Sequence, residues 1–338
     1  MSMERTMDSE ERVETSPETT RLRIGSVELS AGTALAPMAG ITNSHFRRLI
    51  KGVGGCGIVY TGMVSSEGLV RNCRQTRELL SFAREERPIA VQLFGGRPEA
   101  MAEAALAVEQ AGADILDINM GCSVKKITKQ RAGVALMRDP RRASEIVARL
   151  VRSVRIPVTV KIRAGASPAE INAVDFAVQM WHSGASALTV HPRTGADGFE
   201  RPANWEIISR VKKAVGIPVF GNGDVFSLGD ARKLLDETGC DGVMVGRGIL
   251  RNPWLLNEIR SGGTVRARNI GKLLNDHFHL LLEEVKSRAL ILHTLRKFAG
   301  WYTRGFPGAV EFRRRIQTFK TPEEFLENLQ MLVENLEP

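Results

Sequence analysis

From Thr33 onward the chain repeats one pattern. Short apolar runs rich in β-branched residues alternate with stretches whose apolar positions recur at helical spacing. The runs are Thr33–Gly40, Gly57–Val64, Ile89–Gly95, Ile115–Gly121, Val158–Arg163, Ala187–Arg193, Val219–Val225 and Gly242–Gly248. Pro98–Ala111 and Pro140–Val154 typify the helical stretches between them. Strands that alternate with helices predict parallel βαβ units. Eight such units, each short enough for one crossover, predict an α/β fold of the closed (β/α)8, or TIM-barrel, type; a doubly wound open sheet is the alternative.

Near residue 260 the pattern changes. Ser261–Gly263 reads as a linker, and residues 266–338 carry no strand-like run. Their periodicity predicts helices at Ile270–Arg288, Leu290–Tyr302, Val310–Thr318 and Pro322–Leu336. At the other end, residues 1–22 are rich in Glu, Thr and Ser without a periodic apolar face, the composition of a disordered tail. The expected organisation is that tail, a barrel over residues 23–260, and a small all-helical domain over residues 261–338. A length of 338 residues suits one barrel of about 250 residues with an appendage.

A (β/α)8 barrel carries its site at the C-terminal ends of its strands, and the polar residues of this chain collect there. Pro37, Met38 and Ala39 follow the first strand, and Gln92 lies on the third. Asp117 and Asn119 lie on the fourth, just before Cys122. Lys161 and Arg163 follow on the fifth, His191 and Arg193 on the sixth, Asn222 and Asp224 on the seventh, and Gly246 and Arg247 end the eighth. Residues two apart on a strand share a face. If that face points inward, a ring of donors and acceptors surrounds one pocket. Gly221-Asn222-Gly223 and Gly246-Arg247-Gly248 suggest a phosphate, because glycines let backbone N–H groups approach an anion and Arg247 adds a charge-assisted bond. Cys122 precedes Lys125, Lys126, Lys129 and Arg131. A loop thiol among cations ionises more readily; it could act as nucleophile or proton donor, or be a loop residue without chemistry.

The formal net charge is +9, which suits an acidic partner such as nucleic acid. Cys56, Cys73, Cys122 and Cys240 form no paired motif for zinc or iron–sulfur, so no metal is expected. Few, scattered cysteines in a chain of this length suggest free thiols in a reducing compartment. No apolar run nears the roughly 20 residues of a membrane helix, and the N-terminus lacks an apolar signal core. The expectation is a cytoplasmic monomer without membrane contact.

Taken in order, these residues resemble the bacterial dihydrouridine synthases, and most closely the branch lettered B. The segments that carry the likeness are Ala36-Pro37-Met38-Ala39-Gly40-Ile41-Thr42-Asn43, Val91-Gln92-Leu93-Phe94-Gly95, Asp117-Ile118-Asn119-Met120-Gly121-Cys122, Val158-Thr159-Val160-Lys161-Ile162-Arg163, Leu188-Thr189-Val190-His191, Asn222-Gly223-Asp224 and Gly242-Val243-Met244-Val245-Gly246-Arg247. The resemblance implies a barrel that binds FMN, NADPH as electron source, and a helical domain that binds tRNA. It implies that Pro37, Met38 and Ala39 line the flavin, that Gln92 and Lys161 contact its ring, and that His191 sits with the cofactor at the flavin–substrate pocket. It further implies that Asn222, Gly223, Asp224, Gly246 and Arg247 hold the phosphate end, and that Cys122 is the general acid. Three positions depart from the family pattern: Ser123 where it has proline, Gly62 where it has glutamate, and Pro192 where it has glycine.

Between Val285 and Lys320 the cations Lys286, Arg288, Arg296, Lys297, Arg304, Arg313, Arg314, Arg315 and Lys320 face only Glu311, with Trp301, Tyr302, Phe306 and Phe312 interleaved. Cations for phosphates and aromatics for bases are the composition of an RNA surface. Lys297, Arg313, Arg314 and Arg315, with Asn119 and Arg163 at the barrel mouth, are the candidate RNA contacts. A solvated helix face over core aromatics is the plainer alternative. The expected activity is reduction of tRNA uridines to dihydrouridine. A flavin- and folate-dependent uracil methyltransferase, or a catalytically silent RNA-binding flavoprotein, are the alternatives.

Overall fold

The computed structural model describes residues 22–198, 201–265, 269–304 and 308–334. Apart from Leu22, the expected N-terminal tail lies outside them, as does Phe306. The eight runs form β1 (Thr33–Leu35), β2 (Ile58–Ser65), β3 (Ile89–Phe94), β4 (Ile115–Met120), β5 (Val158–Arg163), β6 (Ala187–His191), β7 (Val219–Asn222) and β8 (Gly242–Val245). All pair in parallel with their neighbours, and β8 returns to β1 with Val243 opposite Thr33 and Met244 opposite Ala34. That last pairing closes the barrel and excludes the open sheet.

Several strands stop earlier than their apolar runs. Pro37 has no N–H to extend β1, and the chain instead turns back, with Ile41 and Thr42 both donating to the Met38 carbonyl. After β7 the backbone leaves the extended region at Gly223 and Asp224, both at positive φ. A hairpin of two-residue strands, Arg23–Ile24 with Val27–Glu28, is too short to register as a periodic run. Its Ile24, with Leu29, packs on the inward residues Ala34, Ile58, Ala90, Ile115, Ala187 and Phe220. Gly25, at positive φ, lies so close to Pro157 that a Cβ would come within 2.8 Å of that ring. The hairpin therefore plugs the end of the barrel opposite the strand C-termini.

Above this apolar layer the interior turns polar. Register sets Gln92 beside Asp117, Asp117 beside Thr159, Asn119 beside Lys161, and Arg163 beside His191. Tyr60, Thr159 and Thr189 are buried at the same level as Asp117.

The C-terminal helices span Ile270–Glu284, Arg288–Tyr302, Ala309–Arg315 and Pro322–Glu334. The first break falls earlier than the periodicity predicts, because Ser287 caps the second helix by accepting from the Leu290 N–H. These helices dock on the barrel helix Ser44–Val53. Phe46 stacks on Phe298 at 5.0 Å between ring centroids, and His45 Nδ1 lies 2.9 Å from His277 Nε2. Burial pushes both imidazoles down, so the pair is held neutral. Among the described residues no helix is long and apolar enough to cross a membrane.

Glu86 anchors the same barrel helix. Its fully buried carboxylate accepts from Arg47 Nε at 2.5 Å, Ser44 Oγ at 2.5 Å and the Ala83 N–H at 2.8 Å, while Arg47 is itself buried. Glu86→Ala strands a buried guanidinium and should cost about 3–5 kcal/mol. The double variant with Arg47→Met should recover much of that loss in denaturant unfolding. Equal midpoints for parent and Glu86→Ala would refute this role.

Candidate active site

A cavity of about 260 Å3 opens at the C-terminal ends of the strands. Pro37 and Met38 from the turn after β1, Met63 from β2 and Met244 from β8 make its apolar side. Asn119, Cys122, Lys161, Arg163, His191, Asn222, Gly223, Asp224, Gly246 and Arg247 supply the rest of its wall. Twelve of the residues expected at the barrel site thus meet in one place. Ala39 does not: it is exposed on its turn. Gln92 does not reach the wall either. It is fully buried beneath it, with its amide between Asp117 and Asn119.

The electrostatics follow from burial. Lys161 Nζ donates to Asn222 Oδ1 at 2.8 Å, and Asn222 Nδ2 donates to the Met244 carbonyl at 2.8 Å. Burial pushes the Lys161 ammonium down to about 7; Arg163 adds to the shift and Asp117 opposes it. Burial, helped by Lys161, Arg163, Arg193 and Arg247, holds His191 at about 2. The imidazole is therefore neutral and can donate or accept without adding charge.

Arg193 and Asp224 correct one expectation. They were to extend the inward faces of β6 and β7, but both lie beyond the strand ends and bind each other. Arg193 Nη2 donates to both Asp224 oxygens, at 2.8 and 2.6 Å. Asp224 also accepts from the Ala203 N–H at 2.8 Å and lies 3.7 Å from Arg247. A buried guanidinium requires a carboxylate close by, and this pairing braces the β6 and β7 loops against each other.

Cys122 is half-buried in the cavity wall on the turn after β4. Its N–H donates to Asn119 Oδ1 at 2.9 Å, and its carbonyl accepts from the Val134 N–H at 2.9 Å. Arg163 Nε donates to the preceding carbonyl, that of Gly121, at 2.9 Å. Lys125, Lys126, Lys129 and Arg131 are exposed on the segment that follows.

Residues 34–337 match the sequence profile described as Dihydrouridine synthase (Dus). The chain belongs to the dihydrouridine synthase family. It is 40% identical over 310 residues to "Probable tRNA-dihydrouridine synthase 1" of Synechocystis, covering 90% of this chain and 86% of that one. It is likewise 40% identical over 302 residues to "tRNA-dihydrouridine synthase B" of Pseudomonas aeruginosa, covering 86% and 90%. Among solved structures, morphinone reductase superposes with a TM-score of 0.52 at 14% identity over 75% of this chain and 92% of its own, a likeness of fold.

Ser123, Pro192 and Gly62 are the three positions expected to depart from the dihydrouridine synthase pattern. Ser123 is exposed beside the thiol, and Pro192 is buried. Gly62 is half-buried next to Met63, and a Cβ there would meet nothing within 4 Å. Packing therefore does not demand glycine at that position.

In the helical domain, Arg314 and Arg315 are exposed, whereas Arg313 is half-buried and donates to the Thr303 carbonyl at 2.8 Å. Arg288 pairs with Glu323, and Arg296 donates to the Phe319 carbonyl. The cation run is thus less free than its sequence suggests. Lys297 donates to the Gly40 carbonyl at 2.9 Å and so ties the helices to the turn that carries Pro37 and Met38. Sequence reasoning missed Met63 and Phe226 in the wall, and the Thr159 and Thr189 layer beneath it. Strand parity with Lys161 and His191 was the available signal for the two threonines. Among the described residues no group of three or more His, Cys, Asp or Glu side chains is placed to hold a metal ion.

Lys161 should lose its proton as pH rises through about 7, charged below and neutral above. Asp117 is the anion that favours the ammonium, so Asp117→Asn should lower the midpoint further. NMR titration of the labelled lysine side chain would show both effects. An unshifted midpoint, or one moved upward, would contradict this account.

Proposed function

We propose that this chain is a tRNA-dihydrouridine synthase that binds FMN, takes electrons from NADPH and reduces specific tRNA uridines to 5,6-dihydrouridine. What carries the reading is that Cys122, Lys161, His191, Asn222 and the Gly223 and Gly246 backbones converge on one cavity in a chain of this family. Its relatives in Synechocystis and Pseudomonas aeruginosa are named for that activity.

The residues present suit a flavin. Pro37, Met38, Met63 and Met244 offer an apolar slot for a ring system. A Cβ at Gly246 would point toward Ala36 and Met38 in that slot, so glycine keeps the backbone open to a close ligand. Gly223, Gly246 and Arg247 are the groups to hold the phosphate, with Asp224 bracing Arg193 and Arg247 behind them.

When bound and reduced, the flavin supplies the hydride that reaches C6 of the uracil. Cys122, on its turn at the mouth, is the group that gives a proton to C5 in this reading. Lys161, held by Asn222, sets a positive end against the negative charge that develops on the ring. His191 and Asn119 offer uncharged hydrogen-bonding groups to the base edge, and Arg163 adds a cation at the rim. A uridine must leave its stack to reach this depth. Arg314 and Arg315 on the helical domain, together with Lys125, Lys126 and Lys129 beside Cys122, are the exposed cations for RNA phosphates.

Protein incubated with FMN, NADPH and unmodified tRNA should yield a nucleoside heavier than uridine by one pair of hydrogens. A gain of a methylene would establish methyl transfer instead, and no gain a silent flavoprotein. Cys122→Ala should keep NADPH oxidation and lower product formation by about a hundredfold or more. Parental turnover in that variant would remove Cys122 from the reaction.

Reversal of Arg314 and Arg315 to glutamate should weaken tRNA binding and lower the slope of log K against log salt by roughly one unit per lost contact. Arg313 is left in place because its bond to Thr303 is structural. Unchanged affinity and slope would place RNA elsewhere on the surface.

A further inference from the structure

From Asn119 in the cavity wall a chain of hydrogen bonds runs downward, and its buried members Gln92, Asp117 and Thr159 are not used directly by the proposed reaction. Thr159 Oγ1 donates to Asp117 Oδ1 at 2.6 Å, and Gln92 Nε2 donates to Asp117 Oδ2 at 2.6 Å. Asn119 Nδ2 donates to Gln92 Oε1 at 2.8 Å. Asn119 Oδ1 then accepts the N–H groups of Gly121 at 3.2 Å and Cys122 at 2.9 Å. Asp117 and Gln92 have no exposed surface, and Asn119 has 7%.

This chain has a direction. An amide side chain presents a donor on one side and an acceptor on the other, and either orientation fits the same space. The two backbone N–H groups demand the oxygen of Asn119, which turns its NH2 toward Gln92. Gln92 must then present its oxygen to Asn119 and its NH2 downward. Only an acceptor below completes the series, and Asp117 is that acceptor. Burial pushes its carboxyl up to about 6, against the bonds from Gln92 and Thr159 and the attraction of Lys161. At neutral pH it is therefore ionised and accepts through both oxygens.

The cavity end of the chain needs this support. Residue 123 is serine, which does not fix φ as proline would, so the turn that bears Cys122 relies on bonds made by its neighbours. Without an acceptor at position 117, the buried NH2 of Gln92 is left unsatisfied. Rotation of that amide relieves the loss but sets its NH2 against the NH2 of Asn119, and the conflict passes upward to Cys122.

We infer that Asp117 is a positioning residue for Cys122: it orients the Gln92 and Asn119 amides and through them holds the backbone turn that carries the thiol. The inference rests on the reading of Cys122 as the proton donor, but its test does not depend on turnover.

The test is the alkylation rate of each cysteine in the full-length, flavin-loaded protein, measured with iodoacetamide and resolved by peptide mass. Exposed Cys73 is the internal control for reagent access, and buried Cys56 and Cys240 report loss of fold. Asp117→Leu, which removes the acceptor, should raise the Cys122 rate by about fivefold or more. Asp117→Asn can still accept from Gln92 while donating to Thr159, so its rate should stay close to that of the parent. Asn119→Ala should match Asp117→Leu, and the double variant should add nothing beyond Asn119→Ala, because both changes cut one chain. If Asp117→Leu exposes Cys56 or Cys240, Gln92→Leu cuts the same chain one link higher and takes its place.

A parental Cys122 rate in the variant that folds, or fully additive effects in the double, would overturn the inference. Failure of the functional reading looks different: Cys122→Ala would turn over normally while the alkylation pattern stood.

Discussion

Closure of eight parallel strands is the constraint from which the rest of this structure follows. It forces alternate side chains of every strand into one shared interior, where each polar atom must find a partner. The chain meets that demand in layers. Apolar residues and the hairpin fill the lower end; Tyr60, Asp117, Thr159 and Thr189 form a buried polar floor; and Asn119, Lys161, His191 and Asn222 reach the mouth. In that floor the Asp117 carboxylate is satisfied by buried neighbours, accepting from Thr159 and Gln92. The mouth keeps polar groups facing open space, and there a ligand can compete for them.

Charge at the mouth is unbalanced in a directed way. Lys161, Arg163, Arg193 and Arg247 surround His191, while Asp117 lies below them and Asp224 is bound to Arg193. Desolvation disfavours isolated buried charge, so the site adjusts: Lys161 moves toward neutrality, His191 stays uncharged, and Arg193 is neutralised by a carboxylate. The remaining positive potential suits anionic groups such as phosphates and a base ring that gains electrons. The same cations would make a poor site for a positively charged substrate.

The C-terminal helices are fastened to the barrel near this mouth. The helix Ser44–Val53 begins just after the turn that carries Pro37 and Met38, and its Phe46 and His45 pack on Phe298 and His277 of the C-terminal helices. Lys297 reaches the Gly40 carbonyl on the same turn. Under the proposed function, an RNA-binding surface on those helices would thereby be set in fixed relation to the pocket that would receive the base.

The sequence by itself determined the eight strands and the polar residues gathered near their C-terminal ends, because apolar runs and residue spacing are local properties that survive without a three-dimensional frame. The positions of Cys122, Lys161, His191 and Asn222 were legible for that reason. Closure into a barrel rather than an open sheet was decided by the pairing of β8 with β1. Other features depended on distance between residues far apart in the chain. That Arg193 binds Asp224, and that Gln92 lies under the wall as a link between Asp117 and Asn119, were decided only when the barrel closed; that Arg313 serves Thr303 was decided by the packing of the C-terminal helices. A charged side chain in a sequence shows what it can bind, but burial and the nearest opposite group decide what it does bind.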